Sequence, residues 1–354
     1  MLRRAGQWFL QSGIQESSGG VARYYLSDSR RNAPVSNEIT GYTLSALAYI
    51  WRRTGEPRYL EAAHRTAGYL VRHAWDRNSF TFPFEPANNG DSTFAYFFDC
   101  GIIVRGLLAL HRLDPRPEYL RRADEAATAM AFDFASEAGV HPVLSLPDKQ
   151  PLDYEPQWSR SPGCYQLKSA IAWLDLSTVT GIRAPRAGYD RMLAYALDTH
   201  SSFLPGDARP EKVMDRLHAY GYFLEGLVPV LDRPECAAAT PAGIDRVALL
   251  LRELAPVFVR SDVYAQLLRA RIYAACGGAL KLDARAAREE ADALRAFQID
   301  SDDPSIDGGF YFGRKAGGLM PHVNPVSAAF AAQALAMWED YESGRREFDP
   351  ADMI

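Results

Sequence analysis

EITGYTLSALAYI (residues 38–50) carries one carboxylate at its start and then small and apolar residues on nearly every face of a helical period. A helix that meets water along one side keeps a polar stripe; this one has none, which places it inside a core. The pattern recurs in FDCGIIVRGLLAL from Phe98, CYQLKSAIAWLDL from Cys164 and HAYGYFLEGLVPV from His218. SDVYAQLLRARIYAAC from Ser261 and NPVSAAFAAQALAMW from Asn324 complete the series. Each copy opens on polar residues, and repetition of this kind marks an array of like units.

Between these inner helices lie segments of another type. RYLEAAHRTAGYLVRH from Arg58, EYLRRADEAATAMAF from Glu118, GYDRMLAYALDTH from Gly188, AGIDRVALLLREL from Ala242 and ARAAREEADALRAF from Ala284 are charged on one side and apolar on the other. They read as amphipathic outer helices. The link from inner to outer helix is short: RRTGEPRYL (52–60) matches HRLDPRPEYL (111–120), with Gly or Asp-Pro stopping one helix and Pro preceding the next. The return from outer to inner helix is long, aromatic and Gly-rich, as in residues 17–37, 79–97 and 299–323. Loops of that length in a compact domain tend to carry function. All fall ahead of an inner helix, so they are expected on one rim. With LRRAGQWFLQ as the sixth outer helix, the expectation is an all-α ring of about six helical hairpins, one domain over residues 1–354 with no linker.

These features resemble the six-hairpin glycosidase superfamily, the (α/α)6 toroids. The resemblance rests on Glu38-Ile39-Thr40-Gly41-Tyr42, Phe98-Asp99-Cys100-Gly101, the connector TGEPRYLEAA (54–63) and Asp307-Gly308-Gly309-Phe310, and it spans essentially the whole chain. It implies a carbohydrate-active enzyme: a glycoside hydrolase first, with a polysaccharide lyase or sugar epimerase acting on an acidic sugar as the alternative. A non-catalytic saccharide-binding toroid is the reading from a different class, because fold alone does not settle function.

In such a ring the first residues of inner helices point into the cup. Glu38 and Asp99 open the first two, and glycoside hydrolysis needs one carboxyl group as acid and another as base or nucleophile. The competing account of Asp99 is a helix N-cap. Arg23, Tyr24, Trp158, Lys168, His218, Tyr222, Asp262, Asp307, Arg314, His322 and Asn324 are expected to bind substrate from the same rim. Aromatic faces suit the C–H side of a sugar ring, and Arg23, Arg314 and Lys168 suit an acidic one. His218 and His322 are the candidate base pair if the reaction is an epimerisation. The bland account of Asp262, which follows Ser261, is again capping.

Asp300-Ser301-Asp302-Asp303 spells the DxDD of proton-initiated terpene cyclases, yet the chain is too short for the two-domain form that accompanies it. A solvated loop with Asp-Pro turn chemistry is the preferred reading. The 354 residues carry a net charge of −5, with arginines scattered among carboxylates, which argues against a nucleic-acid partner. The four cysteines, Cys100, Cys164, Cys236 and Cys276, lack metal-ligand spacing and are expected as reduced thiols. No metal or cofactor is implied. MLRRAGQWFLQSG is too interrupted for a signal peptide, and no run approaches the roughly 18 apolar residues of a membrane span, so a cytoplasmic location is expected.

Overall fold

The computed structural model describes residues 1–85, 93–137 and 139–354. The remainder of the aromatic loop 79–97, residues 86–92, lies outside the described residues. Among the described residues twelve α-helices run in chain order: α1 (Leu2–Gln11), α2 (Asn37–Thr54), α3 (Pro57–Tyr69), α4 (Phe97–Leu113), α5 (Pro117–Asp133), α6 (Leu167–Thr180), α7 (Ala184–Phe203), α8 (Pro210–Leu227), α9 (Pro234–Leu254), α10 (Ser261–Cys276), α11 (Ala284–Arg295) and α12 (Pro325–Glu342). The alternation read from the sequence is reproduced: α2, α4, α6, α8, α10 and α12 are the apolar helices, and α1, α3, α5, α7, α9 and α11 the others. No helix among the described residues is long and apolar enough to cross a membrane.

Local chemistry fixes the ends. The Ser36 hydroxyl accepts the Ile39 amide to cap α2, and Gly55, left-handed at φ 69°, closes it. Pro57, Pro117, Pro210, Pro234 and Pro325 each open a helix, where the missing N–H costs nothing.

The contacts divide the chain into two compact units. The first comprises Gln15–Arg23 and Pro34–Ala196; the second comprises Met1–Ile14, Tyr24–Ala33 and Leu197–Ile354. In the first, α4 lies between α2 and α6, and glycines set the spacing. A Cβ at Gly106 would stand 2.6 Å from the Gly41 carbonyl oxygen, and one at Gly101 would stand 2.6 Å from that of Ser169. These close approaches need glycine. In the second unit α10 packs on α8 and α12, and α1 packs on α12. Trp8 is 1% exposed and its indole N–H donates to the Ser305 carbonyl.

Short antiparallel strands fill the segments ahead of inner helices. Thr93–Tyr96 pairs with Val143–Leu146 and leads into α4; Phe258–Arg260 pairs with Gly313–Lys315 and leads into α10. Tyr25–Leu26 pairs with His322–Val323, just before α12. The Asp300–Asp303 run is a tied turn: the Ser301 hydroxyl accepts the Asp303 amide, and an Asp303 carboxyl oxygen accepts the Ser305 amide. All four cysteines are free thiols, with Cys276 the least buried.

Candidate functional site

In the first unit, Glu38 is the second residue of α2 and Asp99 the third of α4. Neither caps its helix. Ser36 caps α2, and Tyr96, with no capping side chain, precedes α4. The Ser169 hydroxyl of α6 donates to the Phe98 carbonyl at 2.7 Å, pinning the turn that bears Asp99. Asp99 is 5% exposed, and its Oδ2 makes no hydrogen bond among the described residues. An orphaned buried acceptor is costly, and its presence calls for an explanation. Glu38 is crowded by protein yet still touched by solvent.

Both carboxyl groups hold their protons unusually well. Burial pushes Glu38 up to about 7, against the pull of the Arg23 charge. Asp99 is driven well above the ordinary carboxylate range, first by burial and then by the charge of Glu38, with Arg23 again opposing. Position in a first helical turn favours the anion, but desolvation and like charge win here. Arg23 is fixed by an ion pair with Glu85 at 2.6 Å and lies 4.9 Å over the Phe84 ring. Trp158 meets Tyr165 edge-on at 5.0 Å, and Tyr165 stands 6.1 Å from Phe98. Arg160 lies 5.4 Å over Phe94 and reaches the Tyr96 phenol. Lys168 is fully buried in α6.

The second unit holds a different cluster. Asp262, second residue of α10, is gripped by Arg260 through Nε at 3.0 Å and Nη2 at 2.6 Å. Arg260 also donates to Asp215 at 2.9 Å and lies 4.6 Å over Phe312. Burial pushes the Asp262 carboxyl up, but Arg260 holds it below its ordinary value overall. Ser261 does not cap; its hydroxyl donates to the Tyr311 and Phe312 carbonyls. His218 stands with Nδ1 at 2.8 Å from the side-chain amide oxygen (Oε1) of Gln266 and 3.6 Å from Asp262 Oδ2. Burial and the Arg260 charge push His218 down to about 4. Tyr222 meets the His218 ring edge-on at 4.5 Å, and Tyr24 meets His322 at 4.9 Å. The Nδ1 of His322 is buried without a partner among the described residues.

His218, Tyr220 and Tyr222 do not open an inner helix as expected. They lie well inside α8, because Pro210 starts that helix two turns earlier. The structure brings together Arg23, Glu38 and Asp99, and separately His218, Tyr222 and Asp262, with Tyr24 and His322 forming a further pair. Asp307 accepts from Arg4 and from the Ser301 amide, tying α1 to the 299–309 turn. The Asn324 side chain accepts the Val326 and Ser327 amides as the cap of α12. Arg314 is exposed on its strand.

No family model matches the sequence, and no curated protein matches it. Solved structures do. Cellobiose 2-epimerase from Spirochaeta thermophila superposes with a TM-score of 0.73 at 12% identity, covering 96% of each chain. Unsaturated glucuronyl hydrolase from Bacillus sp. GL1 gives 0.66 at 15% identity, covering 97% of each. A family 76 glycoside hydrolase (mannosidase) from Bacteroides thetaiotaomicron gives 0.64 at 13% identity, covering 96% of this chain and 99% of that one. The chain shares the fold of these enzymes. It is all-α, of the (α/α)6 toroid class, as the repeat pattern and motifs imply.

Within this six-hairpin fold the sequence reading missed Glu85, Arg160, Arg260 and Gln266. Arg260 had a signal: a cation two residues before an acid at a helix start is placed to fold back on it. Glu85 had none, since its partner Arg23 is distant in sequence.

Proposed function

We propose that this chain is a carbohydrate-active enzyme, a glycoside hydrolase whose acid and base are Asp99 and Glu38. One observation carries the proposal: a buried carboxyl with an unpartnered oxygen faces the charge of a second carboxyl, and both titrate far above the ordinary range. Carboxyl groups whose environments separate their proton affinities are what acid/base division of labour requires. Asp99, whose carboxyl burial and the Glu38 charge push well above the ordinary range, is the acid that donates to the departing glycosidic oxygen as the C–O bond breaks. Glu38, titrating at about 7, is ionised often enough to take the proton of the attacking water. Atoms balance as one water added, one glycosidic bond broken, and a proton returned to Asp99 through solvent. Arg23 keeps part of the Glu38 population ionised and offers a cation to an acidic sugar, and Trp158 offers a stacking face. The similarity to an unsaturated glucuronyl hydrolase described as responsible for glycosaminoglycan degradation supports an acidic substrate. The test is a polysaccharide panel read for new reducing ends and for loss of unsaturated-uronide absorbance. Activity that survives in both Glu38→Gln and Asp99→Asn removes the pair from the chemistry.

A second reading rests on His218 and His322. With Nδ1 of His218 directed at Gln266 and Asp262, its proton lies there, and Nε2 carries the lone pair of a neutral base. That arrangement suits abstraction of a proton beside a sugar carbonyl, and a cellobiose 2-epimerase is among the similar structures. Incubation with cellobiose in D2O decides it: deuterium at C2 that disappears in His218→Gln supports epimerisation, and unlabelled sugar rules it out.

A further inference from the structure

A cavity of about 410 Å³ opens in the second unit where α9 and α11 flank α10. It shares no residue with either cluster above. Its floor carries Arg271, 7% exposed. Only one of that side chain's three nitrogens is engaged: Nε donates to both carboxyl oxygens of Glu290, at 2.8 and 3.0 Å. The two terminal nitrogens make no hydrogen bond among the described residues, though the side chain borders the cavity. Those nitrogens are reached from the cavity and are not sealed in the core, so an acceptor placed there can meet them. Burial pushes Glu290 up to about 7 against the Arg271 charge.

The surrounding groups narrow the ligand. Arg252 on α9 borders the same cavity with no ion pair among the described residues, while Arg285 is held by Glu289 at 2.9 Å. Three acids, Asp283, Glu289 and Glu290, stand beside these three arginines. A dianion meets that many carboxyl groups at a disadvantage; a monoanion placed on the free edge of Arg271 does not. The parallel N–H pair of that edge fits the two oxygens of a carboxylate. Leu251, Leu267 and the Tyr264 ring supply an apolar wall, and the volume lies in the range of small-molecule sites.

We propose that this cavity is a second binding site, taking the carboxylate of a small organic monoacid on the free edge of Arg271. Sugar acids and short aliphatic acids share that group, and the experiment separates them. The full chain, labelled in its leucine methyl groups, is titrated with glucuronate, butyrate, glucose or inorganic phosphate while the Leu251 and Leu267 signals are followed by NMR. Saturable shifts of both with glucuronate or butyrate, and none with glucose, are expected; the acid that binds tighter names the source. Arg271→Lys keeps a cation for Glu290 but loses the two-pronged edge, and is expected to weaken binding about tenfold. Arg252→Gln, on the exposed face, is expected to weaken it about threefold without touching the buried pair. Unshifted leucine signals with both acids, tighter binding of phosphate, or unchanged affinity in both variants would overturn the proposal. Because the readout is local and needs no catalysis, it stands apart from the fate of the Glu38–Asp99 reading.

Discussion

Asp99 and Asp262 occupy nearly the same place in their helices and end in opposite states. Each lies in the first turn of an inner helix, each follows a short strand, and each is buried, at 5% and 2% exposure. Asp262 has Arg260 two residues before it and is held on both oxygens. Asp99 has Phe97 at the corresponding place, and one of its oxygens has no partner. Burial is common to both, so burial alone cannot mark a reactive group. What separates them is compensation: a satisfied carboxylate is an anchor, and an unsatisfied one retains its proton and can give it away.

The contrast breaks first at Asp99→Asn. Hydrolysis is expected to fall about 100- to 10,000-fold, while stability changes by no more than about 1 kcal/mol, measured by turnover and denaturant midpoint on the same preparation. Asp262→Ala should do the reverse. It strands the Arg260 charge and is expected to cost about 3–5 kcal/mol in unfolding free energy, the range for breaking a buried pair. If Asp262→Ala proves as stable as the parent, the anchor reading is wrong.

Acidity sharpens the comparison next. Glu38 titrates at about 7 instead of 4.5, so the folded state binds the extra proton and stability falls as pH rises through that window. His218 titrates at about 4 instead of 6.5, so its contribution is present above 6.5 and is lost as pH falls towards 4. Each effect is on the order of 3 kcal/mol. Melting curves of Glu38→Gln should therefore lose part of the decline between about 4.5 and 7, the parts from Asp99 and Glu290 remaining, and those of His218→Gln should lose the acid-side decline. Turnover is expected to rise through about 7 as Glu38 ionises. The smallest expected effect is at a cap: Asn324→Ala should cost about 1 kcal/mol with activity retained. A large loss of turnover would return Asn324 to the binding site.

The helices were legible because apolar periodicity and Pro or Gly punctuation are local signals, and those signals agree at α2, α3, α4 and α5. The site was legible only in part. Glu38 and Asp99 could be picked out as acids opening inner helices, but whether such an acid caps, pairs or stays orphaned depends on tertiary neighbours. Ser36, not an acid, supplies the cap of α2, and Arg260 arrests Asp262 by a contact that periodicity does not encode. The apolar run from His218 marks only the buried part of its helix, which Pro210 already starts two turns earlier. The expected single domain over residues 1–354 we keep as a proposal, since the chain enters both units more than once. One calorimetric transition is the expected outcome, and two resolved ones would set it aside.

The pairing of α1 with the far end of the chain bears on how the protein is made. Trp8 finds its hydrogen-bond partner 297 residues later, and Arg4 finds Asp307 303 residues later. During synthesis the apolar face of α1, with Trp8 and Phe9, must wait unpartnered while nearly the whole chain emerges. At ~5–20 residues per second that wait lasts some tens of seconds. Contacts of such long range close late and slowly, so α1 carries its apolar face exposed through most of synthesis, when a chaperone's shelter matters.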